Sequence, residues 1–234
     1  MINQFPMSAE EIRLEQSNFI TKVYGWMTLA LVLTGLTAIF VAYSPALIEL
    51  IFGNRLVFWG LIIGELLLVG VLSAAVSKMS AITATLVFLG YACLNGLTMA
   101  SIFLVFTASS IASTFLITAG TFGLMSFYGY FTKRDLTSLG NLCVMALIGL
   151  IIASIVNIFL ASSMLYWITT YAGILIFVGL IAYDTQKIKE MNIIGNEGTD
   201  EDRKEAIMGA LSLYLDFINL FLYMLRIFGN RSSD

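Results

Sequence analysis

The sequence predicts an all-α integral membrane protein: a seven-transmembrane-helix bundle with the last helix central, the N-terminus cytoplasmic and the C-terminus outside. Three observations predict it. First, the chain is 59% hydrophobic and only 12% charged, whereas soluble domains carry about 25% charged residues. Such an apolar excess cannot be hidden in the core of a 234-residue soluble chain. Second, the apolar residues fall into seven runs separated by polar breaks, each long enough to cross about 30 Å of hydrocarbon. Third, the final run carries one polar stripe on an otherwise apolar helix.

The elements follow in order. Residues 1–22 are polar and include Pro6, without the basic start and short apolar core of a secretory signal. They read as a cytoplasmic segment, and the first span, 23–43, as an uncleaved insertion signal. Ser44-Pro45 closes that span. Gly53-Asn54-Arg55 precedes span 56–77, which contains Glu65. Ser77-Lys78 leads to span 81–105, and Thr107 to Ser110 opens span 108–131. Lys133-Arg134-Asp135 separates that span from 139–161, and Ser162-Ser163 starts span 164–186. The long connection 187–205 holds "NEGTDEDRKE" and reads as a solvated cytoplasmic loop. The last span is 206–228, so the transmembrane domain is 23–229 and residues 230–234 are a short tail.

Basic residues orient the bundle. With the N-terminus inside, the inner segments hold Arg13, Lys22, Lys78, Lys133, Arg134, Lys187, Lys189, Arg203 and Lys204; the outer ones hold Arg55, Arg226 and Arg231. A six-span arrangement with a re-entrant last segment is the alternative. No span contains proline, and no internal repeat of the inverted-transporter kind is visible. The net charge of -3 and the absence of a basic stripe argue against nucleic acid as a partner. Histidine is absent, so any pH sensing must use carboxylates. Cys93 and Cys143 lie in apolar runs and read as small core residues, with no disulfide and no cofactor implied.

The stretch "GALSLYLDFINLFLYMLRIFG", Gly209 to Gly229, carries the chemistry. Gly209, Ser212, Asp216, Asn219, Tyr223 and Arg226 recur at helical spacing and share one face. A carboxylate inside a span costs about 2.5–3.5 kcal/mol on insertion scales, so this face must meet protein or water. One reading makes the stripe interhelical glue, at about 0.6 kcal/mol per polar contact. The other makes Asp216 functional, since Asn or Ser would serve more cheaply as glue. Its expected partner is Asp184 in "IAYDTQKIKE", at the cytoplasmic end of the preceding span. Two adjacent carboxylates in low dielectric share a proton and titrate as a pair. The span limits leave the two acids up to about 10 Å apart in depth, so the pair meets only if the last helix is displaced toward the cytoplasm or the sixth pushed deeper. An interfacial Asp184 beside Lys187 is the alternative. Glu65 is a second intramembrane acid, functional or simply paired. Asn95 with Tyr91 and Thr98, Thr114 with Thr118 and Thr121, and Asn157 with Ser154 add polar faces for a pore lining or for helix contacts.

"LSLYLDFINLFLYMLRIFG", with "YDTQKI" on the previous span and "NGLTMASIF" in span three, resembles the Bax inhibitor-1 family, the transmembrane Bax-inhibitor-motif proteins. "YGYFTKRDLTSLG" resembles its bacterial inner-membrane branch. The likeness runs from Tyr24 to the end. It implies a multi-pass protein of the cell inner membrane with the last helix in the middle, acting as a pH-sensitive calcium leak and not as an enzyme. Asp184 and Asp216 match the family's sensor dyad, the calcium contact being transient. Lys78 falls where characterised relatives carry an arginine latch; lysine keeps the charge but not the fork. Glu65 resembles an acidic residue of span two. Ser212, Asn219, Tyr223, Asn95 and Asn157 are the remaining pore or stripe positions. The expected partners are the lipid bilayer and calcium ions. Some bacterial members resemble modulators of a membrane-bound protease, which makes a non-transporting partner protein the second class, contacted through residues 1–22. An intramembrane aspartyl protease is disfavoured, because its second aspartate sits in a Gly-x-Gly-Asp pattern and here the run is Leu213-Tyr214-Leu215-Asp216.

Overall fold

A computed structural model describes residues 8–232. The helices are α1 (Ala9–Ala42), α2 (Pro45–Phe52), α3 (Arg55–Ala75), α4 (Ala81–Met99), α5 (Ser101–Val105), α6 (Ala108–Phe131), α7 (Thr137–Leu160), α8 (Ser163–Met191) and α9 (Asp200–Phe228). Among the described residues seven spans are long and apolar enough to cross a membrane: α1, α3, α4 with α5, α6, α7, α8 and α9. The last is an unbroken helix of 29 residues, not a re-entrant loop.

Local chemistry sets the starts. Ser8 and Glu11 form a reciprocal capping box on α1, the Glu11 N–H donating to Ser8 Oγ and the Ser8 N–H to Glu11 Oε2. Ser80, Thr107, Ser162 and Thr199 each accept a backbone N–H at the head of α4, α6, α8 and α9. Pro45 occupies the first turn of α2, where no N–H is needed.

Three helix ends differ from the sequence expectation. α1 reaches back to Ala9, α8 runs on to Met191 and α9 starts at Asp200. Apolarity marks where hydrocarbon ends, whereas a hydrogen-bonded helix continues into water when capped and packed. The connection is therefore 192–199, shorter than 187–205. Residues 9–22 are the first turns of α1 rather than a separate segment, with Phe19 and Ile20 in the core. The expected tails at 1–7 and 233–234 lie outside the described residues.

The last helix is the most enclosed. Of its most apolar window 67% is buried, against 6% for α3 and 11% for α7. It packs on α1, α4, α6 and α8, while α3 leans on α4 and α7 on α8. Four of the other six spans thus surround it. The outer two turn apolar residues such as Leu66, Ile152 and Ile158 outward. Close approach of α6 and α8 depends on Gly129, where an added Cβ would strike the Ala182 carbonyl.

Candidate functional site

The register of α8 against α9 builds the site. A Cβ on Gly209 would lie 3.1 Å from Ile188 Cγ2, and one on Gly173 would lie 2.7 Å from the Tyr223 ring. These two contacts level Ile188 with Gly209 and Gly173 with Tyr223. Asp184 then falls level with Leu213, and Asp216 stands about one turn, ~5 Å, further along. The carboxyl groups adjoin each other. The last helix is displaced toward the 192–199 end by more than a turn relative to the expected span limits, which narrows the gap in depth to about one turn. Asp216 is 5% exposed, and its Oδ2 is buried without a hydrogen-bond partner among the described residues. Asp184 is half-buried. Cys143 of α7 packs on the same helix, its Sγ against Gly179 of α8, where an added Cβ would strike it. The polar stripe therefore faces α8, through Gly209, Asp216, Tyr223 and Arg226.

The turn that joins the two acidic helices is held from α1. Gly195 and Gly198 take positive φ, 90° and 83°, which lets the chain reverse in a few residues. The Gly195 N–H donates to Glu15 Oε1 at 2.8 Å, and Asn18 Nδ2 donates to Glu197 at 3.2 Å. Lys22 Nζ donates to Asp202 Oδ2 at 2.8 Å, and the Gly198 N–H donates to the same oxygen. The polar first turns of α1 thus clasp the 192–202 segment.

The other expected residues scatter. The Thr98 hydroxyl donates to Glu65 Oε1 at 2.8 Å, tying α3 to α4. Asn95 is buried, with Oδ1 unpartnered, as is Thr114 Oγ1. Asn219 donates back to the Leu215 carbonyl of its own helix. Asn157 Oδ1 accepts the Ser162 N–H at the end of α7. Ser212 is half-buried. Tyr223 stacks on Phe177. Lys78 is exposed, and no ion pair joins it to either aspartate among the described residues. The cation beside Asp184 in sequence is Lys187, one turn later on the same helix.

Sequence reasoning missed a second polar focus on the opposite side of α9. The hydroxyls of Tyr214 and Thr34 lie 2.8 Å apart, and Thr34 Oγ1 is also 2.8 Å from the Ala92 carbonyl. Tyr214 is fully buried, and its ring meets Phe88 and Tyr91 edge-on. It joins α9 to α1 and α4.

A seven-span bundle whose terminal helix is enclosed by its neighbours and carries a buried acid defines a multi-pass helical membrane protein. Residues 16–233 match the family described as "Inhibitor of apoptosis-promoting Bax1". The chain belongs to this family, the Bax inhibitor-1 family. It is 54% identical over 233 residues to "Inner membrane protein YbhL" of Escherichia coli, covering 98% of this chain and 100% of that one. It is 47% identical over 218 residues to "Uncharacterized protein RP147" of Rickettsia prowazekii, covering 91% and 89%. An uncharacterized protein of Borreliella burgdorferi is 43% identical over 221 residues, 94% of this chain and 95% of that one. The relative's name and the seven spans agree on a multi-pass location in the inner membrane.

Proposed function

We propose that the chain is a pH-sensitive leak pathway for cations, with calcium as the permeant ion and Asp184 and Asp216 as its gate. The observation that carries this reading is the adjoining pair itself: a nearly fully enclosed carboxyl, Asp216, beside a half-buried one on the next helix. At lower pH the pair shares a proton and stays together, closing the path. At higher pH both groups ionise, repel and separate, and the stripe opens between α8 and α9. Carboxylates are hard oxygen ligands suited to calcium. Among the described residues no three His, Cys, Asp or Glu side chains cluster. Two carboxylates alone hold the ion loosely, as a conducted ion requires. Lys187 supplies the charge beside the ionised pair. The reading assigns no enzymatic reaction and no resident cofactor.

The N-terminus is assigned to the cytoplasm on the distribution of Lys and Arg. A fluorescent or phosphatase reporter fused after Asp234 tests this: phosphatase activity supports it and fluorescence refutes it. The gate is tested in proteoliposomes, where Asp184→Asn and Asp216→Asn each abolish the rise of calcium uptake with pH; unchanged uptake rejects the dyad.

A second reading, a partner protein that binds and modulates a membrane-bound protease, is supported by one feature. Leu14 is 58% exposed on the polar start of α1, among Glu10, Glu11 and Arg13. Because Glu15, Asn18 and Lys22 belong to the clasp, the clean test removes residues 1–13 only. Loss of protease co-purification with calcium uptake intact favours this reading.

A further inference from the structure

A cleft of about 460 Å³ opens between α7, α8 and α9 at the end of the bundle where α9 finishes. Its lining includes Arg226, Tyr166, Tyr223, Asn157, Ser154 and Ile155. Three properties give it a ligand class. The first is charge. Arg226 lies over the rings of Tyr223 and Tyr166, 4.8 Å and 5.3 Å from their centroids. It makes no ion pair among the described residues, and none of the described lining residues is acidic. Arg226 is thus a positioned cation surrounded by groups able to donate, namely the two phenols, the Asn157 amide and the Ser154 hydroxyl.

The second property is rigidity. Tyr223 is fixed from behind by Phe177, stacked at 6.0 Å, and by Gly173, where a Cβ would meet the ring. Arg226 therefore rests on a wall that does not move away.

The third property is depth. Arg226 lies two residues before the end of α9, Asn157 three before the end of α7, and Tyr166 three after the start of α8. Trp167 and Tyr171 stack beside them, an aromatic pair of the kind found at the membrane–water interface. The outer wall of the cleft is apolar, Ile155 and Ile151 lying about one and two turns deeper along α7 than Ile158, and each of the three is more than half exposed.

We propose that this cleft binds an anionic phospholipid, the phosphodiester at Arg226 and the hydroxyl and amide donors, an acyl chain along the isoleucines of α7. The chemistry a lipid headgroup shares with free phosphate is the phosphate oxyanion; the exposed isoleucine wall favours the lipid. Binding there neutralises the one charge of the α9 stripe that repels cations. The site itself does not depend on the channel reading.

The test uses purified full-length protein and three probes: phosphatidylglycerol, phosphatidylcholine and inorganic phosphate. Lipid retention is read by native mass spectrometry. The wild type retains phosphatidylglycerol over phosphatidylcholine, and Arg226→Gln weakens that retention roughly tenfold, the scale of one charge-assisted hydrogen bond. Arg226→Lys retains an intermediate level, and Arg55→Gln retains the wild-type level. Equal retention by wild type and Arg226→Gln overturns the proposal. So does protection of phosphatidylglycerol-free protein by inorganic phosphate alone, which would make this a free-phosphate site. If Arg226→Gln does not fold, a photoreactive phosphatidylglycerol is cross-linked to the wild type instead. Labelling concentrated in residues 151–169 supports the site, and labelling spread evenly round the bundle overturns it.

Discussion

The carboxyl groups of Asp184 and Asp216 adjoin across the α8–α9 interface, with Asp216 Oδ2 buried and unpartnered among the described residues. This follows from the α8–α9 register, which the Gly209–Ile188 and Gly173–Tyr223 contacts set. A buried oxygen without a donor is costly unless a proton or a neighbour satisfies it. The neighbour here is another acid, which makes the arrangement sensitive to proton supply.

The close contacts of α8 with α9 and with α6 are themselves testable. Gly173→Val places carbon inside the Tyr223 ring, and Gly129→Ala places it against the fixed Ala182 backbone. Each is expected to cost about 1–3 kcal/mol by overpacking, with Gly129→Ala the worse because a backbone carbonyl has no rotamer to yield. Unfolding of micelle-solubilised protein followed by circular dichroism measures both.

The clasp from α1 gives a second prediction. Lys22→Met leaves the carboxylate of Asp202, 1% exposed, with only the Gly198 N–H donating to it among the described residues. Lys22 itself is about one-third exposed, so solvent screens part of the loss. A cost of about 1–2 kcal/mol is expected, read as a lower Tm, together with faster proteolysis in 192–199. A Tm equal to wild type would show that the ion pair does not hold the turn.

Tyr214→Phe isolates the hydroxyl contact with Thr34. Thr34 keeps its bonds to the Ala30 and Ala92 carbonyls, so the loss is expected at about 0.6 kcal/mol, typical of a membrane-interior hydrogen bond. Tyr214→Ala, by contrast, empties a fully enclosed site and costs about 3–5 kcal/mol by analogy with other buried aromatics.

Asp135 supplies a control for pH. The Thr137 side chain and then its N–H, which donates at 2.8 Å, hold the Asp135 carboxyl below its ordinary value. A depressed group contributes its stabilisation above the unfolded value and loses it only as pH falls through the folded one. Asp135 therefore stays ionised throughout pH 6 to 8, and Asp135→Asn leaves the pH profile of calcium uptake unchanged across that range.

Much of this was legible in the sequence. The limits 81–105 and 108–131 coincide with the helices, because Ser80 and Thr107 cap them where the polar breaks lie. The stripe from Gly209 to Arg226 was visible because polar residues stand out at helical spacing in an apolar run. Tyr214 was not, since an aromatic amid leucines reads as core until Thr34, 180 positions away, supplies its partner. The clasp was hidden for the same reason: Glu15 and Gly195 also meet across 180 residues. Relative depth of Asp184 and Asp216 was misjudged because hydropathy does not record how far a capped helix continues beyond hydrocarbon.

The most direct measurement is calcium uptake by purified protein in proteoliposomes from pH 6 to pH 8, wild type beside Asp216→Asn. Wild-type uptake is predicted to rise with pH and the Asp216→Asn profile to be flat. Parallel profiles for the two proteins, or wild-type uptake no greater than that of empty liposomes at any pH, would contradict the account.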